Sequence, residues 1–514
     1  MAVRCGIDLG TTYSAISWYD PYNNRAVTID LDTADGAKVI RSVVYFPGPG
    51  QPAVVGETAW NAARQHPDRV VVGIKRSIGT SFKTAAIDGH EYTPQEVSAE
   101  ILKVLVQDAK KYLGEDVPDA VITVPAYFGD AERAATEEAG KIAGLNVIGV
   151  LPEPHAAALA YAVENAGTIQ DRHILVYDLG GGTFDVTMIH ATAAGGGASL
   201  DLNISTLCKD GNRHLGGLDW DRALAKLVIE KVLAQHGEDI SNDADNEPLL
   251  LDNCEKAKRH LSRTGTVSII ADSKQHQVDV TAEEFENQTA HLLYQTQALL
   301  EHVIEEAQKN HGVAKDQIEV MLTGGSSRMP AVARLIETVL GRPPLRYQNP
   351  ELLVTIGAAY RAHLLGQPGA GEQAPVIVQT VPDADGTPTK KEVRVGGLSD
   401  IGRPVGVEVL RAGAPANAVV VPDGSSYGQQ FEKIFSTTED GMTEIDVVLH
   451  EGSSAKLEEC RKLKTFTITG LPADRPKGRP VKVVMGYDNS GIVRGKAIDL
   501  DTGTEIPIEV TPGF

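Results

Sequence analysis

VYDLGGGTFDVTM, residues Val176–Met188, repeats the scheme of GIDLGTTYSAI, residues Gly6–Ile16. In each, an apolar run ends in Asp-Leu-Gly, a turn follows, and a Thr leads into a second apolar run. Apolar runs on either side of a glycine turn predict paired strands. Two copies about half a domain apart predict a duplicated fold with two facing lobes. Outward from both copies, residues 1–365 alternate strand and helix patterns, as α/β folds do. Thr93, Pro94 and Glu96 mark the start of one helix as N-cap, first helical residue and capping-box partner. Val97, Ile101, Val104 and Leu105 give it an apolar face, and Gly114 ends it.

The repeated turns carry chemistry. Glycines let backbone N–H groups converge on an anion without a Cβ in the way. An Asp beside them can hold hydrated Mg²⁺, a hard cation that prefers oxygen ligands. Asp8 and Asp178 would then place one metal between two phosphate-gripping turns, with the Thr11, Thr12 and Thr183 hydroxyls as contacts. Taken singly, each copy reads first as an ordinary hairpin turn with an Asx cap, and it is their pairing that reverses this in favour of the phosphate reading. A dinucleotide-binding reading of Gly180–Gly182 fails, because the third glycine is missing and FDVTMI reads as strand rather than helix. The chain also holds no GxxxxGK[ST] loop.

Two further constellations lie downstream. Asp252 and Glu255 have capping-box spacing, and Glu255, Lys258, Arg259 and Ser262 share one polar face of the predicted helix. A solvated charged face is the ordinary meaning of that pattern. Val320–Leu322 runs into Thr323-Gly324-Gly325-Ser326-Ser327-Arg328, and Pro330 opens a helix, making a strand–turn–helix unit where backbone can approach a ligand.

The segment Gly366–Pro375 (GQPGAGEQAP) reads as the start of a linker. Beyond it, short alternating runs such as Thr443–Leu449, Lys464–Ile468 and Val481–Met485 predict an antiparallel β domain. No long amphipathic helical region follows before Phe514, so no helical lid is expected. The formal net charge of −21 argues against a nucleic-acid partner. Four scattered cysteines fit neither a disulfide framework nor a zinc site and point to a reducing compartment. The N-terminus lacks the pattern of a signal peptide, and no apolar stretch is long enough to span a bilayer, so a soluble, cytoplasmic protein is expected.

The strings GIDLGTTYS, AVITVPAYFGDAERAAT, EPHAAALAYA, ILVYDLGGGTFDV, CEKAKRHLS, LTGGSSRMP and FSTTED together resemble the seventy-kilodalton heat-shock chaperones of the DnaK type. They stand in that family's order; the glycine turns alone are shared with actin and sugar kinases. The resemblance implies an actin-like two-lobed α/β ATPase domain over 1–365, a linker over 366–394 and a peptide-binding β-sandwich over 395–514. It implies ATP and ADP with Mg²⁺ as ligands and a stress-response function in protein folding. It makes Asp8, Gly10, Thr11, Thr12 and Tyr13 the first phosphate loop, and Gly180, Gly181, Gly182 and Thr183 the second. Asp8, Asp178 and Asp185 fall in the magnesium and water shell. By the same resemblance Lys75 would position the attacking water, Glu153 would help orient it, and Asp178 and Thr183 would complete the catalytic group. Glu255, Lys258, Arg259 and Ser262 match the adenosine helix, and Gly324, Gly325, Ser326 and Arg328 the turn opposite. Lys75 alone would read as a surface charge, and Glu153 as a charge at a helix N-terminus.

Pro125 and Arg133 match the relay between domains, although Arg133 reads equally as an exposed ion pair with Glu137. Val407, Val409, Phe435, Ile445 and Val447 match a peptide pocket, or simply the core of a sandwich. Implied partners are unfolded or extended polypeptides, a J-domain co-chaperone and a nucleotide-exchange factor. Three departures stand out: no leucine-rich linker, for which Pro375–Thr380 (PVIVQT) is a substitute; no lid; and Pro152 and His155 around the Glu-Pro pair. The altered linker and lid leave a second expectation, an ATP-binding regulatory or scaffolding protein for a dedicated partner.

Overall fold

The structure, a computed structural model, describes residues 3–509 except 34–35, 167–168, 170, 196–198, 242–245, 348, 366–375, 383–387, 400–403, 412 and 423. The two quoted stretches each form an antiparallel pair at the centre of a sheet. In the first sheet Arg4–Asp8 pairs antiparallel with Tyr13–Asp20 and parallel with Asp119–Val124, with Arg25–Thr28 and Asn146–Pro152 outside them. In the second, Asp171–Leu179 pairs antiparallel with Phe184–Ala194 and parallel with Ile318–Thr323, and Ser199–Asn212 lies beyond. The duplication read from the sequence is therefore a duplication of sheet order.

Both faces of the second sheet are buried. Leu175, Tyr177 and Leu179 pack with Phe184 and Trp220 on one side, while Ile174 and Val176 meet the alanine-rich helix Glu153–Glu164 on the other. Truncating a fully buried ring such as Phe184 to Ala would cost about 3–5 kcal/mol. The helix predicted from Thr93 runs over Pro94–Leu113, with the capping box formed and Gly114 at φ 70° closing it.

The expected linker differs from the structure. Residues 366–375 and 383–387 lie outside the described residues, but Val376–Pro382 and Pro388–Ser399 form two strands of the second sheet. Pro388–Ser399 lies parallel to Ser199–Asn212, and Val376–Pro382 lies antiparallel on its outer side. The reason is burial: Ile377, Val393, Val395 and Leu398 enter the core between the sheets. The boundary expected at 394/395 thus falls inside a strand, and residues 376–380 of the expected substitute lie in the edge strand.

After Val405 two four-stranded antiparallel sheets face each other. Val405, Val407, Val447 and Leu449 from one and Val481, Val483, Met485 and Ala497 from the other fill the space between them. This sandwich rests on the preceding α/β region through the turn after Pro480–Tyr487. Arg133 Nη1 donates to the Ser490 carbonyl at 3.3 Å, Arg494 pairs with Glu137 at 3.3 Å, and Arg361 Nη2 donates to Asn489 Oδ1 at 3.3 Å. Among the described residues no helix is long and apolar enough to cross a membrane.

Candidate functional site

The ends of the two sheets that carry the Asp-Leu-Gly turns face one another across a cleft of about 1050 Å³. Gly10, Thr11, Thr12 and Tyr13 line it from the first sheet, and Gly180, Gly181 and Thr183 from the second. The turns touch: a Cβ on Gly181 would stand 1.9 Å from Thr12 Oγ1, so only glycine permits this approach. Gly182 packs on Thr11 just behind. Thr12 Oγ1 is buried without a hydrogen-bond partner among the described residues, as a donor awaiting an anion would be.

Asp8, Asp178 and Asp185 sit at the strand ends, Asp178 and Asp185 buried and Asp8 partly exposed to the cleft, and Lys75 and Glu153 close the floor. Lys75 Nζ donates to Glu153 Oε1 at 2.5 Å, and Thr123 Oγ1 donates to Asp8 Oδ1 at 3.2 Å. Burial, then the Glu153 charge, pushes Asp8 up to about 7 against the opposing pull of Lys75. Burial, then Glu153 and Asp8, pushes Asp178 up to about 8. Asp185 is held well above the ordinary carboxylate range, first by burial and then by Glu153 and Asp178. Burial works against the charge of Lys75, but Glu153 and Asp8 more than offset it and raise its pKa. Four carboxylates share one ammonium, so their pKa values rise for want of positive charge, and an all-oxygen donor set of this kind suits Mg²⁺.

On the opposite wall lie Glu255, Lys258, Arg259 and Ser262, one face of the helix Glu247–Leu261 as its spacing predicts, with Ser262 as its C-cap. Glu255 Oε1 accepts from the Tyr13 hydroxyl at 2.8 Å and also pairs with Arg259, while its Oε2 meets Arg41 at 2.7 Å. Burial raises the Glu255 pKa, but Arg41 and Arg259 outweigh it and hold the carboxyl below its usual range. Lys258 is buried, paired with Asp221 at 2.8 Å and donating to the Gly217 carbonyl at 2.9 Å. Gly324 takes φ 78°, and Gly324, Gly325, Ser326 and Arg328 border the same cleft, where Arg328 pairs with Glu351 at 2.6 Å.

The capping box expected at Asp252 does not form, because the helix starts six residues earlier, after Asn246. Asp252 is instead buried mid-helix, accepting from Trp60 Nε1 at 2.9 Å and pairing with Arg41 at 3.3 Å and Lys256 at 2.7 Å. Trp60 and Arg41 come from the first half of the chain, so this helix is fastened across the cleft. Arg76 was equally hidden in sequence: it donates to the Gly182 carbonyl at 2.9 Å and pairs with Asp219 at 3.1 Å. Its position directly after Lys75 was the one available hint.

Pro125 is buried at the turn after Asp119–Val124, where Phe128 N donates to its carbonyl at 3.2 Å. Arg133 is not part of an exposed pair with Glu137. It is 4% exposed, donating to the carbonyls of Phe128 and Ser490, while Glu137 pairs with Lys141 and Arg494. In the sandwich Val407 and Val447 are interior, and Val409, Phe435 and Ile445 are partly buried at its margin. His155, one of the departures, is fully buried at the start of the helix Glu153–Glu164, 3.1 Å from Thr206 Oγ1.

Comparison with known proteins agrees with this geometry. A family model described as Hsp70 protein matches residues 4–513. A chaperone protein DnaK of Thermotoga neapolitana is 38% identical over 517 residues, covering 98% of this chain and 80% of that protein. Chaperone proteins DnaK of Thermosipho africanus and Thermosipho melanesiensis are 37% and 36% identical over 510 residues, covering 97% of this chain and 78% of each.

Proposed function

The chain belongs to the Hsp70 family, and from that premise we propose which of its residues carry the ATP-dependent work. It is an ATP-dependent molecular chaperone and an ATP hydrolase. The family binds ATP and ADP, generally with Mg²⁺. The observation that carries the residue assignment is the convergence of both Asp-Leu-Gly turns on one cleft floored by the Lys75–Glu153 pair.

Gly10–Tyr13 and Gly180–Thr183 grip the phosphates through backbone N–H groups and the Thr hydroxyls. Asp8, Asp178 and Asp185 would hold hydrated Mg²⁺, which would supply neutralisation of phosphate charge. Lys75 and Glu153 orient a water for in-line attack, with the Thr183 hydroxyl beside it. Phosphoryl transfer depends mainly on positioning and charge neutralisation, and this set supplies both. Glu255, Lys258, Arg259 and Ser262 face the adenosine from one side and Gly324, Gly325, Ser326 and Arg328 from the other, in an actin-like clamp of two lobes.

The sandwich takes extended polypeptide segments by main-chain pairing and apolar contact. In the arrangement described, Val409, Phe435 and Ile445 are within a peptide's reach, while Val407 and Val447 require the two sheets to part. Pro125 and Arg133 relay nucleotide state through the turn at Ser490. A J-domain co-chaperone and a nucleotide-exchange factor complete the cycle.

The test is the dissociation rate of a fluorescent hydrophobic peptide from the full chain, with ADP and then ATP. Release at least tenfold faster with ATP, lost in Gly181→Val whose side chain would collide with Thr12, is expected. Equal rates with both nucleotides would overturn the coupling.

A further inference from the structure

At the far end of the strand that carries Asp178, three side chains meet that the ATP site does not use. His173 and His190 are directly opposed across the antiparallel pair Asp171–Leu179 and Phe184–Ala194. Their rings stack with centroids 4.8 Å apart and 6° between planes. Asp171, two residues before His173 and so on the same sheet face, places Oδ1 2.7 Å from His190 Nε2. One ligand atom from each of the three lies within 4.8 Å of the others.

We propose that Asp171, His173 and His190 form a binding site for a transition-metal ion, of which Zn²⁺ is the best match. Metal bonds of about 2.0–2.1 Å in tetrahedral geometry bring ligand atoms to roughly 3.4 Å from one another. Small side-chain rotations on a rigid strand pair close that gap. Two imidazoles and one carboxylate suit Zn²⁺, Ni²⁺ or Cu²⁺, whereas Mg²⁺ and Ca²⁺ prefer all-oxygen shells. A fourth position stays open to water, because the site faces solvent: the Asp171 side chain is 69% exposed and that of His190 31%. The site is distinct from the Mg²⁺ position, five residues or about 17 Å along the strand from Asp178.

The test uses the full chain, freed of metal and then titrated with Zn²⁺ by calorimetry while Mg²⁺ is in excess. Co²⁺ serves as a coloured probe of the same site. One ion per chain is expected, with visible Co²⁺ bands of nitrogen and oxygen ligation. His173→Gln and His190→Gln should each weaken binding at least tenfold, and the exposed Asp171→Asn should weaken it as well, all with unchanged affinity for Mg-ATP. Absence of stoichiometric binding by the unaltered chain would overturn the site. So would equal binding by the variants, which would place the ion elsewhere, for instance at His236 and His276, whose rings also lie 4.8 Å apart.

Discussion

Lys75 lies within the electrostatic reach of Glu153, Asp8 and Asp178, and its ammonium is the charge that makes their burial tolerable. Lys75→Ala would leave Glu153 buried without its partner, at a cost of about 3 kcal/mol in denaturant unfolding. It should lower ATP turnover by roughly 10²–10³-fold with little change in nucleotide affinity, since a positioned group contributes mainly in the transition state. Adding Glu153→Gln should restore stability but not turnover. The pH dependence follows from Asp8 and Asp178, whose pKa values of about 7 and about 8 stand above the ordinary Asp value. Without metal, the folded protein then holds protons that the unfolded chain has lost, so stability falls as pH rises from about 4 to 8. Protons compete with Mg²⁺ for these oxygens, so Mg²⁺ should bind the nucleotide-free protein more tightly at pH 8.5 than at pH 6; equal calorimetric affinities would contradict it. The two Asp residues were legible because each closes an apolar run before a glycine turn. The shift itself was not, because it comes first from burial between the two sheets and then from the charge of Glu153, which reaches the site from another part of the chain.

The helix Glu247–Leu261 shows how one element can be placed correctly and still be misread at its start. The i, i+3, i+4, i+7 face from Glu255 to Ser262 was periodic and therefore legible. Asp252 carried the local pattern of a cap, and only the arrival of Arg41 and Trp60 from a distant segment turns it into a fastening across the cleft. The two roles differ in magnitude. Losing a cap costs about 1 kcal/mol, whereas removing the carboxylate from a buried cluster costs about 3 kcal/mol or more. Asp252→Ala should therefore shift the urea midpoint by the larger amount and loosen ATP binding, as read by denaturation and nucleotide titration. The strand Pro388–Ser399 was hidden for a related reason. Lys390, Lys391 and Arg394 interrupt its apolar pattern, yet Val393, Val395 and Leu398 alone suffice to seat it on the core.

The whole molecule is organised around contacts that no single domain contains. Arg494 of the sandwich, held by Asp488 at 2.6 Å, reaches Glu137 on the helix Asp130–Ile142, and Arg133 of the same helix reaches Ser490. Arg494→Glu would set like charges against each other there. Small-angle scattering should show a larger radius of gyration, and the ATP-induced acceleration of peptide release should fall severalfold while ATP still binds. An unchanged scattering profile would mean that this pair does not hold the domains. The two α/β halves and the β domain were legible from period and turn chemistry, but their docking was not, because the residues that meet lie 128 to 357 positions apart.

The two strands Val376–Pro382 and Pro388–Ser399 also set a leash. Only residues 400–404 separate the second of them from Val405, where the sandwich begins, so the sandwich cannot move more than about 20 Å from the sheet edge. Confinement of that kind keeps the facing surfaces at a local concentration far above that of free molecules, so a few weak polar contacts suffice to dock them. Releasing both strands would lengthen the leash to residues 366–404 and dilute the sandwich around its docking face roughly tenfold or more. Were the two strands to release, pairing at this sheet edge would act as a gear between two association regimes, with no new contact made at the docking face itself.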